Sequence, residues 1–295
     1  EVQRVLGQGA FATTYLARDL QSGQEVAIKA VSMKQLNDWK AFELFEREVA
    51  VLQSLSHAQI PSFLDYLKDD SGDTHYLVQE YAKGQSLKEK LDAGWSPSND
   101  AIQKIGLQLL EVLTYLVQRN PPVVHRDIKP ANIMVADSGH AVLLDFGIAR
   151  DARAETLTRT GQSLGTPAYM APEQTSVERS KELTAAVDVY GLGVLAFELL
   201  TGRPPYLGTP MNVLCALLEE DVPPPSRHAQ GVPAALDAIV LRATARDPSA
   251  RYPSARELAA DLERFLAGQE VEARPRPRLA LAALGALALA ALLGL

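Results

Sequence analysis

Cysteine occurs once in 295 residues, at Cys215. A disulfide within the chain is therefore excluded, and the usage fits a reducing compartment. Basic residues are outnumbered, 29 Lys and Arg against 36 Asp and Glu, for a formal net charge of −7. That speaks against a nucleic-acid-binding surface, which wants a basic face. No internal repeat is visible, and no Gly-Lys-Ser/Thr triplet occurs, so the Walker A phosphate loop is excluded. The first residue is Glu1 rather than methionine, and the opening residues lack the pattern of a secretory leader. With the apolar run at the other end, this reads as a fragment of something longer.

What is present is ordinary globular material: 47% hydrophobic and 22% charged residues, enough for one large domain or two lobes. The end of the chain differs. Leu279 to Leu295, LALAALGALALAALLGL, carries no polar side chain. A helix of that length reaches about 25 Å, slightly short of a bilayer core. Arg274, Arg276 and Arg278 precede it, alternating with Pro275 and Pro277. Arginines there favour a cytoplasmic side, which would hold residues 1–268. The bland alternative is a packed C-terminal core helix, although a helix apolar all round has no amphipathic stripe.

The first 31 residues read as strands around a glycine-bearing turn. Residues 39–55 read as a helix, with Phe42, Phe45, Val49 and Leu52 at three- and four-residue spacing. Ile60–Leu67 and Thr74–Glu80 alternate like strands about the turn DDSG. From residue 100 to 118 a long helical pattern begins, and further helices are expected near 184–201, 210–220, 232–245 and 254–267. A β-rich part followed by a helical part predicts two lobes with a cleft between them, an α+β architecture.

Three stretches carry chemistry. LGQGAFATTYLA, residues 6–17, sets two glycines between strands, where backbone amides can approach phosphate oxygens. It can equally be a plain hairpin, and no helix follows, as a dinucleotide site would need. VAIK, residues 26–29, puts Lys29 among apolar residues. A buried ammonium needs an anion. Glu48 on the following helix is a candidate, with Glu43 and Glu46 as competitors on the solvent face; otherwise Lys29 snorkels. LLDFGIAR, residues 143–150, ends an apolar strand on Asp145. VVHRDIKPANIMV, residues 123–135, crowds Asp127, Lys129 and Asn132 into a loop between apolar segments, read as strands. Asn132 and Asp145 together offer two oxygen ligands of the kind magnesium takes alongside phosphate and water.

These residues resemble the protein kinase family of the serine/threonine type, in the family's order and spacing over about residues 1–268: Gly-rich loop, VAIK, HRD-x-K-P-x-N, DFG and APE. The resemblance implies a bilobal fold, a small antiparallel lobe over about 1–82 with one main helix and a larger helical lobe over 83–268. An Arg/Pro juxtamembrane linker would follow at 269–278, then a transmembrane helix at 279–295. It implies ATP and Mg²⁺ as cofactors and protein substrates. Asp127 would be the catalytic base and Lys129 would neutralise the transferring phosphoryl group. Lys29, held by Glu48, would reach the phosphates, and Asn132 and Asp145 would bind metal. His125 would be structural. Leu6, Gly7, Gln8, Gly9, Ala10 and Thr14 would lie along the nucleotide. Ala27 and Met134 would sandwich the adenine, with Gln79 behind it and the main chain of Glu80 and Ala82 at its edge. Two positions depart from the family pattern: Ala12 replaces the third glycine and Thr14 the expected valine, which bears on nucleotide affinity more than catalysis.

In GTPAYMAPE, residues 165–173, Thr166 would touch Asp127 and the segment would receive the substrate. Glu173 should pair with Arg251, and Asp188 should brace the catalytic loop. Thr156, Thr158, Thr160 and Ser163 offer phosphate acceptors, with Thr158 and Thr160 the candidate autophosphorylation sites docking on Arg126; the bland reading is a polar loop. The basic-flanked tail is similar to that of bacterial eukaryotic-like (Hanks-type) receptor kinases, which implies an inner-membrane, single-pass protein and a possible homodimer. Three functions stay open. An active protein kinase is favoured by the full residue set, a scaffold pseudokinase needs none of it, and a small-molecule phosphotransferase fits the GTPAYMAPE segment poorly.

Overall fold

The computed structural model describes residues 1–9, 12–33, 39–146, 167–175 and 183–273. Five strands form one antiparallel sheet: β1 (Val2–Gln8), β2 (Ala12–Arg18), β3 (Glu25–Ser32), β4 (Phe63–Lys68) and β5 (Thr74–Glu80). Their order is β1-β2-β3-β5-β4. Alternation sets the faces: His75 and Leu77 of β5 are buried while their neighbours are only partly so. Helix α1 (Trp39–Gln53) packs on this sheet. Its stripe of Phe42, Phe45, Val49 and Leu52 is buried, and Glu43 and Glu46 face solvent. Glu48 lies on the buried stripe, only 2% exposed. An apolar stripe would not hide a carboxylate without a partner for it.

The chain crosses to the second lobe at Gly84, where only glycine fits. Its φ is +129°, and a Cβ there would stand 2.6 Å from the carbonyl oxygen of Val135. A short strand β6 (Gln85–Ser86) leads into α2 (Leu87–Asp92). Ser86 and Glu89 cap this helix reciprocally, each side chain accepting from the other residue's backbone N–H. Helix α3 (Asn99–Val117) follows, capped by Ser98. Strands β7 (Ile133–Val135) and β8 (Ala141–Leu143) complete a three-stranded antiparallel sheet with β6. Helices α4 (Ala186–Thr201), α5 (Pro210–Glu219), α6 (Ala234–Ala243) and α7 (Ala255–Leu266) finish the lobe.

Helix α4 is the axis of this lobe. Thirteen of its residues are buried, including Asp188 and Glu198, as expected of a helix apolar on every side. Gly193 lets α6 close on it, since a Cβ there would meet Thr244 Cγ2 at 2.7 Å and Ala243 Cβ at 2.8 Å. The far end is latched by Asp261, which is fully buried. It accepts from the backbone N–H of Glu272 at 2.6 Å and of Ala273 at 2.8 Å, and from Tyr252 Oη at 2.8 Å.

The helices fall where the hydrophobic spacing predicts them. The segment leading into VVHRDIKPANIMV does not: Val123 and Val124 form no strand. Their part of the backbone is satisfied otherwise. Val123 N–H donates to Leu116 O at 3.0 Å, closing the end of α3, and the amides of His125 and Arg126 go to the Asp188 carboxylate. A segment so supplied needs no strand partner. Asp145 likewise stands two residues past β8 rather than at its end. Among the described residues no helix is long and apolar enough to cross a membrane. The segment 279–295, with residues 274–278 of the linker, lies outside the described residues.

Candidate active site

The site is built where the two sheets meet. Strand register puts several predicted residues on one face. In the β2–β3 pairing Thr14 is opposite Lys29 and Leu16 opposite Ala27, and Gly7 of β1 is opposite Thr14. Ala27 is also opposite Gln79 across β3–β5. Directly paired residues share a face, so Gly7, Thr14, Ala27, Lys29 and Gln79 all look the same way. Leu6 and Gln8 flank Gly7 on β1, and Gly9 N–H closes the hairpin onto Ala12 O at 2.8 Å. Ala10 lies outside the described residues. Glu80 ends β5, Ala82 is half-buried just beyond it, and Met134 sits half-buried in β7.

Lys29 is the junction. Its Nζ stands 3.0 Å from Glu48 Oε1 and 3.4 Å from Asp145 Oδ1. Burial pulls the ammonium's pKa down, but the two carboxylates outweigh it and push it above the ordinary lysine value. Burial pushes the Glu48 carboxyl up, against the pull of Lys29. The Asp145 carboxyl is held below the usual range, first by Lys29. Its side chain is 59% exposed, so this charge faces outward and Glu48 does not. Glu48 anchors the lysine and Asp145 presents a carboxylate.

The loop after Val124 carries the second group of charges. Lys129 Nζ lies 2.8 Å from Asp127 Oδ2, and Asn132 Nδ2 donates to the same oxygen at 2.9 Å and to Asp127 O at 2.9 Å. The Asn132 nitrogen is thus committed inward, which leaves its amide oxygen as the atom that could meet a cation. The two groups are tied together by backbone. Leu144 N–H donates to Asn132 O at 2.8 Å, and His125 Nε2 meets Leu144 O at 3.0 Å. The His125 ring also lies 4.8 Å from that of Phe146. Burial holds this imidazole neutral, with its pKa down to about 4, so it is a structural link rather than a proton carrier at neutral pH.

Asp188 carries the loop from below. Its Oδ2 accepts from His125 N–H and its Oδ1 from Arg126 N–H, each at 2.7 Å. Burial pushes its carboxyl up to about 6, against both backbone donors. The two non-glycine residues of positive φ among the described ones are Arg126 at +69° and Asp145 at +48°. Each adjoins a charged group of the site, which is where backbone strain tends to gather.

Glu173 meets Arg251 in a bidentate pair, Oε1 to Nη1 at 2.7 Å and Oε2 to Nη2 at 2.8 Å. Thr158, Thr160 and Thr166 lie outside the described residues, so their predicted contacts have no geometry here. Lys29 and Asp145, 116 positions apart, meet as the resemblance implies, which puts both at the phosphates; the contact of Gln174 Nε2 with Arg126 O at 2.9 Å carries no sequence signal that could have found it.

With this geometry in hand, comparison with known proteins is direct. The protein kinase domain profile matches residues 1–261. The chain belongs to the protein kinase family. Among curated relatives, serine/threonine-protein kinase PrkC of Bacillus subtilis is 36% identical over 264 residues, 89% of this chain and 40% of that protein. Serine/threonine-protein kinase PknB of Mycobacterium leprae is 35% identical over 278 residues, 92% of this chain and 44% of that protein. A probable serine/threonine-protein kinase of Streptomyces coelicolor, SCO3848, is 36% identical over 293 residues, 98% of this chain and 42% of that protein. The chain thus spans less than half the length of these relatives. Family membership implies ATP and a divalent metal at the meeting of the two lobes. The donor set there suits a hard cation, which takes oxygen ligands: one outward carboxylate and one amide oxygen.

Proposed function

We propose that this protein transfers the terminal phosphoryl group of ATP to serine or threonine hydroxyls of proteins. The observation that carries the reading is Lys29, bonded at once to Glu48 and Asp145, with Leu144, next to Asp145, hydrogen-bonded through its backbone to Asn132 of the Asp127–Lys129–Asn132 group. Lys29 orients the phosphates, and Glu48 anchors it from the buried side. Asp127 accepts the proton of the incoming hydroxyl, and Lys129 offsets charge on the transferring group. Asn132 and Asp145 would hold Mg²⁺, which when bound neutralises phosphate charge. Catalysis of this kind is positioning and electrostatics, which a preorganised charged loop supplies. A scaffold role would leave this array without a purpose. Incubation with labelled ATP, Mg²⁺ and a generic protein substrate tests the reading; label appearing on no hydroxyl would sink it.

Regulation belongs to the same reading. Thr158 and Thr160 become phosphorylated by the kinase itself, and a phosphate there docks on Arg126 and orders the loop. Phosphopeptide mapping should find both sites, and the Thr158→Ala/Thr160→Ala double variant should lose most activity towards added substrate. Full activity in that variant would dismiss the switch.

The catalytic unit, residues 1–268, sits on the cytoplasmic side of a membrane spanned by 279–295. The apolar composition of that run and the arginines before it support this. The full chain expressed in bacteria should stay with membranes through alkaline carbonate washing, and a chain ending at residue 273 should be released. Equal release of both would end the proposal.

A further inference from the structure

The backbone of Arg126 is held in an unfavourable conformation by side chains on both of its peptides. Arg126 has a φ of +69° without being glycine, a backbone state that costs roughly 1–2 kcal/mol. It persists only where surroundings over-determine it. Asp188 grips the two peptides before Arg126, accepting from the N–H groups of His125 and Arg126. The peptide after it carries the Arg126 carbonyl and the Asp127 N–H. Its N–H meets His125 Nδ1 at 3.3 Å, and its carbonyl accepts from Gln174 Nε2 at 2.9 Å.

Gln174 is itself locked. Its Oε1 accepts from Ala171 N–H at 2.9 Å, and its own N–H donates to Ala171 O at 2.9 Å. One neighbour is a backbone donor and the other a backbone acceptor. The amide therefore fits only one way round, since a flip would set donor on donor and acceptor on acceptor. The preceding residue, Glu173, is pinned to Arg251. Gln174 is thus a rigid strut from the 167–175 segment to the peptide that carries Asp127.

The geometry points to Gln174 as a positioning residue for phosphoryl transfer, coupling the substrate-receiving segment to the orientation of Asp127. It touches no reacting atom. Its role rests on the proposed kinase activity, and it adds a dependence of Asp127 on the geometry of that segment. A displacement of about 1 Å at a reacting group costs on the order of 100-fold. Loss of the strut should therefore lower kcat by roughly 10- to 100-fold while nucleotide affinity stays put.

The test uses three chains: wild type, Gln174→Ala and Gln174→Glu. Both variants should show reduced kcat with unchanged Kd for nucleotide. Gln174→Glu gives the sharper result. Its carboxylate still accepts from Ala171 N–H but opposes the Arg126 carbonyl, whereas the protonated acid can donate to that carbonyl. Its kcat, taken as a ratio to wild type at each pH, should rise as pH falls; Gln174→Ala should give a flat ratio. The ratio cancels titrations that the chains share, that of Asp188 included. Amide hydrogen exchange reads the strut without any turnover: the Asp127 amide, on the peptide whose carbonyl Gln174 holds, should exchange faster in both variants at neutral pH. Unchanged kcat together with unchanged exchange overturns the proposal. A wild type inactive on every protein substrate overturns the kinase reading instead, and faster exchange in the variants would still identify the strut.

Discussion

Replacing Asp127 with asparagine should cut turnover by roughly 100- to 10,000-fold, the range typical for a positioned base, with little change in fold or nucleotide affinity. The geometry explains why the fold should survive. Lys129 Nζ and Asn132 Nδ2 both bond to one oxygen of Asp127, Oδ2. An asparagine can place its amide oxygen there and keep both donors. Its NH₂ then occupies the other position, where an acceptor has become a donor. A group that donates cannot take the hydroxyl proton, so chemistry fails while packing holds. The carboxylate is only 10% exposed, so water is a poor substitute for it. The assay compares kcat for protein phosphorylation and the Kd for nucleotide in the two chains, with far-ultraviolet circular dichroism as the check on folding. Turnover equal to wild type would remove Asp127 from the proton transfer.

The second large effect concerns stability. Glu173→Ala should destabilise the protein by about 3–5 kcal/mol, the cost of stranding one partner of a buried ion pair. Arg251 has no exposed side-chain surface. Each of its five N–H groups has an acceptor: the two Glu173 oxygens and the backbone carbonyls of Ala245, Ala186 and Arg246. Its guanidinium also lies 4.9 Å over the Tyr190 ring. Without Glu173 a buried cation is left with neutral acceptors alone. Arg251→Lys should be nearly as damaging, because an ammonium has three donors and no planar fork. Urea denaturation of the three chains measures both losses. An Arg251→Lys midpoint matching wild type would mean that charge alone suffices, against the geometric account.

Much of this was legible from periodicity. The buried stripe of α1, the length of α3 and the positions of α4 to α7 follow from apolar spacing that only helices satisfy. The assignment of Glu48 rather than Glu43 or Glu46 to Lys29 also follows, because Glu48 shares the buried stripe and the others do not. The segment at Val123 misleads for a physical reason. Two valines read as strand, yet the backbone there is supplied by the end of α3 and by a carboxylate 63 residues away. The short helix α2 was readable from its Ser-x-x-Glu capping box but lacks a long apolar pattern to draw attention. Gln174 left no trace at all, since one amide in a polar context has no periodicity.

By itself the sequence determined which residue types were available and which local elements formed, because backbone geometry and hydrophobic spacing act over a few positions. It also set the order of the charged groups along the chain. The tertiary structure alone decided that Gln174 holds the Arg126 carbonyl while Asp188 takes its N–H, and that one oxygen of Asp127 takes two donors. Those contacts act over a few ångströms between residues separated by long stretches of chain. Only tertiary packing, of the helical lobe around α4 and of the two lobes against each other, brings such residues together.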